Sequence, residues 1–160
     1  MRDVDLRTAK LSNADLRDAN LYKANLYMTK LRGADLRYAD LRVAQLYKAD
    51  LHGADLSNAN LRWAKLIGTD LHKANLSGAD LSFTQLGEAK LFGATYSTDT
   101  IWPDDFEPEA AGAVLVEDDE LPEVTHKVCP FCAENIKAAA IVCRYCGRDL
   151  PMTDPLGAGV

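Results

Sequence analysis

Four cysteines hold the clearest chemistry in this chain of 160 residues. They form two C-x-x-C pairs, Cys129-Pro130-Phe131-Cys132 and Cys143-Arg144-Tyr145-Cys146, with ten residues between them. Two such turns supply four thiolates, a donor set that suits tetrahedral zinc. Gly147 follows the last cysteine, where a tight turn needs backbone freedom. The pattern predicts one structural Zn2+ held by Cys129, Cys132, Cys143 and Cys146. Two disulfides would need an oxidising compartment, and the opening residues, MRDVDLRTAK, hold no apolar export segment. A redox C-x-x-C belongs in a βαβ setting, which this sequence does not offer. Four protein ligands close the coordination sphere, so the expected metal is structural, not catalytic. So small a module has too little core to fold alone, and zinc should supply its folding free energy.

No other grouping suggests catalysis. There is no Ser/His/Asp or Cys/His arrangement and no phosphate-binding loop. His52 and His72 have no clear third ligand and read as an ordinary polar ladder one coil apart. The expectation is a protein that is not an enzyme.

Charge divides the chain. Residues 1–100 carry 14 Lys+Arg against 12 Asp+Glu, while residues 101–125 carry nine acids and no base. The net charge of −6 therefore comes from one connector, centred on Glu117-Asp118-Asp119-Glu120. That stretch cannot build a core and reads as a solvated tether. No apolar run approaches the roughly 18 residues of a membrane span. These features predict a cytoplasmic protein with no membrane contact.

The element that must position everything before residue 97 is a five-residue rhythm. Leucine recurs at every fifth position from Leu6 to Leu91, eighteen times without a miss. Two residues before each leucine stands a small residue, nearly always alanine, with Val4, Thr29, Thr69 and Thr84 as exceptions. At about 100° per residue a helix would smear these leucines around its surface. At about 180° per residue a strand would alternate them between faces. Only an extended chain that turns one corner per pentad keeps them all inside, and stacked corners make a solenoid. All six prolines come after the repeats, as an inter-coil hydrogen-bond network would require. Gly33, Gly53, Gly68, Gly78 and Gly93 each fall two residues after a leucine, where the corner is expected.

The motif Ala-(Asp/Asn)-Leu-x-x, explicit in Ala14-Asp15-Leu16, Ala24-Asn25-Leu26 and Ala54-Asp55-Leu56, resembles the pentapeptide-repeat family over about residues 4–96. The resemblance implies an all-β fold, a right-handed four-sided β-helix with about twenty residues per coil and about four to five coils. Tyr96 replaces the next leucine, and Ile101, Trp102 and Phe106 follow it. The expected layout is a β-helix over 1–99, a C-terminal cap over 100–116 and an acidic linker over 117–126. A zinc module over 127–150 and a disordered tail over 151–160 complete it. The N-terminal end shows no obvious cap, which leaves an edge open to a homodimer or a partner. The segment 127–150 resembles the short zinc-ribbon tails of many otherwise unrelated proteins, which dock on proteins or touch nucleic acid. Its middle, Ala133–Val142, has helix-forming composition.

A four-sided coil assigns outward residues to sides. One side stacks Arg7, Tyr27, Tyr47 and Ile67; its neighbour stacks Tyr22, Arg42 and Arg62 beside Val43, Trp63 and Phe83. Aromatics mixed with arginine are typical of binding hot spots, so Tyr22, Tyr27, Arg42, Tyr47, Arg62, Trp63 and Phe83 are the candidate partner-binding residues. Cross-coil ladders that merely stabilise the tube would use the same residue types. The acidic column Asp15, Asp35 and Asp55 brings to mind the duplex mimicry by which family members occupy DNA gyrase. The +2 balance of the repeats, with Arg17 and Arg37 beside the acids, argues against it here. The sequence thus predicts a non-enzymatic adaptor, bacterial by resemblance, with a protein partner. Nucleic-acid contact through the zinc ribbon is the alternative.

Overall fold

In the computed structural model, which describes residues 4–116, 126–128 and 135–137, every repeat builds the same corner. The amide of each small residue donates to the carbonyl of the leucine three positions earlier, as in Ala9 to Leu6 and Ala44 to Leu41, both at 3.0 Å. The residue two after the leucine has positive φ, whether it is Asn13 (57°), Gly33 (64°) or Val43 (62°). A four-residue turn with a left-handed third residue is the type II pattern.

Corners stack at intervals of twenty residues. Asp5 pairs in parallel with Asn25, Asn25 with Gln45 and Gln45 with Lys65, and matching ladders start at Lys10, Asp15 and Asn20. Four ladders enclose a four-sided tube. Leucine amides donate forward to the next coil, as Leu36 does to Asp55 at 2.7 Å, and that coil donates back, Asp55 to Ala34 at 2.9 Å. The leucines from Leu26 to Leu81 are fully buried. Each contributes roughly 1.5–3 kcal/mol of transfer free energy. Thr29 and Thr69 take the small position because their hydroxyls donate to the carbonyls of Leu6 and Leu46, each at 2.7 Å. A buried hydroxyl satisfied in this way carries little penalty.

The two ends of the core differ. Val4, Leu6, Leu11 and Leu16 are only partly buried. At the other end the rhythm gains one residue, and Asp80 pairs with Ile101. Tyr96 stands in the leucine position, and the Thr100 hydroxyl donates to the Leu76 carbonyl at 3.0 Å. Trp102 and Phe106 pack against the core cluster. Trp102 meets Tyr96 edge-on at 5.5 Å and stacks on Phe106 at 5.2 Å. Strand β1 (Thr95–Tyr96) then pairs in parallel with β2 (Val114–Leu115), so the returning chain adds a rung.

The chain divides into two units, the second spanning residues 119–160. Its described strands, β3 (His126–Val128) and β4 (Asn135–Lys137), are antiparallel, with Val128 opposite Asn135. The helix-forming composition of 133–142 is overridden at 135–137, where pairing with β3 decides the conformation. The expected zinc ligands Cys129, Cys132, Cys143 and Cys146, nearly all of the linker and the 151–160 tail lie outside the described residues. Among the described residues no helix is long and apolar enough to cross a membrane.

Candidate functional site

Stacking by twenty residues brings the seven candidate side chains onto two neighbouring sides of the tube. On one side Arg42 lies over the Tyr22 ring at 5.5 Å, and Lys23 lies over the same ring at 5.2 Å. At the edge of that side the Trp63 and Phe83 rings stack at 4.4 Å with 10° between planes, and Arg62 lies 5.8 Å from the Phe83 centroid. The adjoining side carries Tyr27, Tyr47 and Ile67, with Lys65 5.9 Å from the Tyr47 centroid. Trp63 is 57% exposed and Phe83 48%. These are large apolar surfaces to leave in water, and they are contiguous along one edge.

The column just before each leucine has a role that sequence reasoning missed. Asp15 accepts the amide of Arg17 at 3.2 Å, Asn20 that of Tyr22 at 3.2 Å, and Asp55 that of Ser57 at 3.0 Å. The same contact recurs at Asp50 to His52 and Asn60 to Arg62. This amide, one past the leucine, is the one that the corner leaves without a backbone acceptor. The Asp/Asn oxygen replaces that acceptor locally. The signal was present in the frequent exchange of Asp with Asn: where the contact is made, the oxygen makes it and a charge is not required.

At Asp5, Asp15, Asp35 and Asp40 arginine neutralises the carboxylate. Arg17 meets Asp15 at 2.7 Å and Asp35 of the next coil at 3.6 Å; Arg37 meets Asp35 at 2.6 Å and Asp55 at 3.8 Å. The Arg17 side chain, hydrogen-bonded to Asp15, lowers that carboxyl to about 2, and Asp15 in turn raises the Arg17 guanidinium. Asp35 is lowered chiefly by its hydrogen bond from Arg37. Paired acids of this kind do not present the bare charge density of a duplex.

His52 and His72 stack one coil apart at 6.3 Å, and His72 Nδ1 lies 2.7 Å from Asp70 Oδ1. Desolvation works upward on Asp70, and its hydrogen bonds with His72 outweigh it, leaving the carboxyl lowered. Among the described residues no three potential metal ligands gather. Surface depressions are open, such as one of about 420 Å³ against Arg32, Gly33, His52 and Gly53. The described surface offers side-chain ladders for recognition.

Comparison with known proteins agrees with this architecture. The family model for pentapeptide repeats (8 copies) matches residues 1–37, 29–62 and 54–93. The crystal structure of Rfr23, a pentapeptide repeat protein from the cyanobacterium Cyanothece 51142, is similar at 39% identity and a TM-score of 0.58. That match covers 59% of this chain and 64% of the other, so this chain spans less than two thirds of Rfr23. The crystal structure of alr5209, a pentapeptide repeat protein from Nostoc Pcc 7120, is similar at 39% identity over 67% of this chain and 84% of that one, with a TM-score of 0.54. No curated protein matches the chain. With its corners, ladders and leucine core all accounted for by one repeat, this chain belongs to the pentapeptide-repeat family, whose fold is a right-handed β-helix.

Proposed function

We propose that this protein is a non-enzymatic, cytoplasmic adaptor that binds a protein partner through one side of its β-helical tube and carries a zinc-ribbon module as a second contact. Pentapeptide-repeat proteins are generally non-catalytic interaction proteins, which supports the class. The observation that carries the reading is the exposed edge of Trp63 and Phe83, flanked by Arg42 and Arg62 and continuous with Tyr22, Tyr27 and Tyr47. Aromatic and arginine side chains supply most of the energy at protein interfaces.

The metal part of the proposal is one structural Zn2+ on Cys129, Cys132, Cys143 and Cys146. Its support is the four-thiolate donor set, together with the β3–β4 hairpin whose strands flank the first cysteine pair in sequence. Two modest contacts on one chain reinforce each other when the tether spans both sites. The test is affinity capture from cell extract with the intact protein against an Arg62→Ala, Trp63→Ala double variant. Loss of the captured partner is expected; an unchanged set of partners refutes the side surface.

A further inference from the structure

Each corner of the tube holds one residue at positive φ; glycine, asparagine or aspartate takes it repeatedly on two edges and once on a third, beside Thr8, Met28, Lys48 and Glu88. Gly33 and Gly53 stand on one edge, Asn58 and Gly78 on the next, and Gly68 on the third. The fourth edge has none: its left-handed positions are Lys23, Val43, Trp63 and Phe83. A left-handed β-branched or bulky residue is an outlier, and such residues gather at binding sites. Stability alone favours glycine or asparagine at such a corner, yet Val43, Trp63 and Phe83 follow one another on this edge. The large side chains are kept there against the backbone's preference.

The rings also restrict what they can receive. Trp63 and Phe83, one coil apart, stack face to face along the tube, so their edges point outward. The Tyr22 ring is covered by Arg42 and Lys23, and the Tyr47 ring by Lys65. A platform for single-stranded nucleic acid needs free ring faces. A ridge of ring edges instead suits aliphatic side chains. Cations border the ridge: Arg42 and Arg62 have carboxylates at 2.8 Å and 3.8 Å, whereas Lys23 and Lys65 have no ion-pair partner among the described residues.

We propose that this edge docks an acidic segment of a protein partner, extended along the tube, with carboxylates against Lys23 and Lys65 and aliphatic side chains across the Trp63–Phe83 ridge. The proposal rests on the interaction reading above and adds the chemistry of the partner. Electrostatic complementarity of this kind sets association rate and salt dependence.

The test uses the full chain and a fluorescein-labelled peptide that alternates glutamate and leucine, with an oligothymidylate of equal length in parallel. The variant is Trp63→Asn with Phe83→Asn, because asparagine tolerates the left-handed corner. The peptide should bind, weaken as salt rises, and bind the variant at least about tenfold more weakly. The variant's Tm should equal or exceed that of the parent, which a merely structural ladder would not allow. Absence of peptide binding at low salt, equal binding by the variant, or preference for oligothymidylate each overturns the proposal. If partners captured from extract depend on Arg62 and Trp63 while the peptide fails to bind, the interaction reading stands and the acidic assignment falls.

Discussion

Arg17 joins two coils: its guanidinium holds Asp15 of its own coil at 2.7 Å and reaches Asp35 of the next at 3.6 Å. Asp5, Asp15 and Asp35 are all held below the ordinary carboxylate range, chiefly by hydrogen bonds from Arg7, Arg17 and Arg37. A carboxyl depressed in the folded state contributes stability that is present above its unfolded pKa and lost as pH falls through the folded one. The window therefore runs from about 4 down to about 2, the Asp15 value. These pairs lie at the surface, so the effect is small and screened by salt. Tm measured across that window at low salt should fall gently, and less at high salt. A Tm that rises on acidification would contradict the Arg–Asp ladder.

Where Asp or Asn precedes a leucine, its oxygen rather than its charge is expected to matter. Asn60 accepts the Arg62 amide at 3.2 Å. Asn60→Asp should leave stability unchanged within about 0.5 kcal/mol. Asn60→Ala removes the acceptor and should cost about 1 kcal/mol by urea denaturation. Equal losses for both variants would argue that the side-chain oxygen is not the working part.

Position along the tube should grade the effect of core truncation. Leu46 is fully buried between coils, and Leu46→Ala should cost about 3 kcal/mol or more. Leu11 is only partly buried in the first coil, and Leu11→Ala should cost about 1–2 kcal/mol. Denaturant midpoints of the two variants decide this, and the reverse order would contradict the packing described.

Zinc removal should separate the two modules. Native mass spectrometry of the full chain should show one zinc, lost on chelation or in a Cys129→Ser, Cys132→Ser variant. The thermal transition of the β-helix should be the same with and without metal, since its hydrogen-bond ladders and leucine core lie within residues 4–116. A metal-free preparation, or a β-helix that melts with the metal, would contradict the assignment.

The core of the fold was legible because the leucine–alanine rhythm has only one way to hide from water. The corner residue was legible where it was glycine, as at Gly33 and Gly53. It was illegible at Val43 and Trp63, whose types disfavour the conformation they adopt. The Asp and Asn column was visible at every few pentads, yet residue type alone does not say that its oxygen accepts a backbone amide two residues on. The extra residue between Tyr96 and Trp102 follows from pairing Asp80 with Ile101, a long-range fact that local pattern does not encode. At Asn135–Lys137 composition favoured helix, and a three-residue pairing with His126–Val128 overrode it. Among the candidate surface residues, the columns followed from counting by twenty; that the rings face one another and turn their edges outward needed coordinates.

Amide hydrogen exchange resolved by residue in the full chain is the most direct test of a tube wound from five-residue corners. Within residues 26–81 the amides of each leucine, of the small residue and of the residue between them are bonded to backbone carbonyls. The amide just after each leucine has an Asp or Asn oxygen at best, and Arg32, Tyr47 and Ile67 follow Lys30, Gln45 and Lys65, which supply no such contact. Slow exchange broken by a fast amide at every fifth position is expected, fastest at Arg32, Tyr47 and Ile67. Unbroken protection along the repeats, or protection with a helical period, would contradict it.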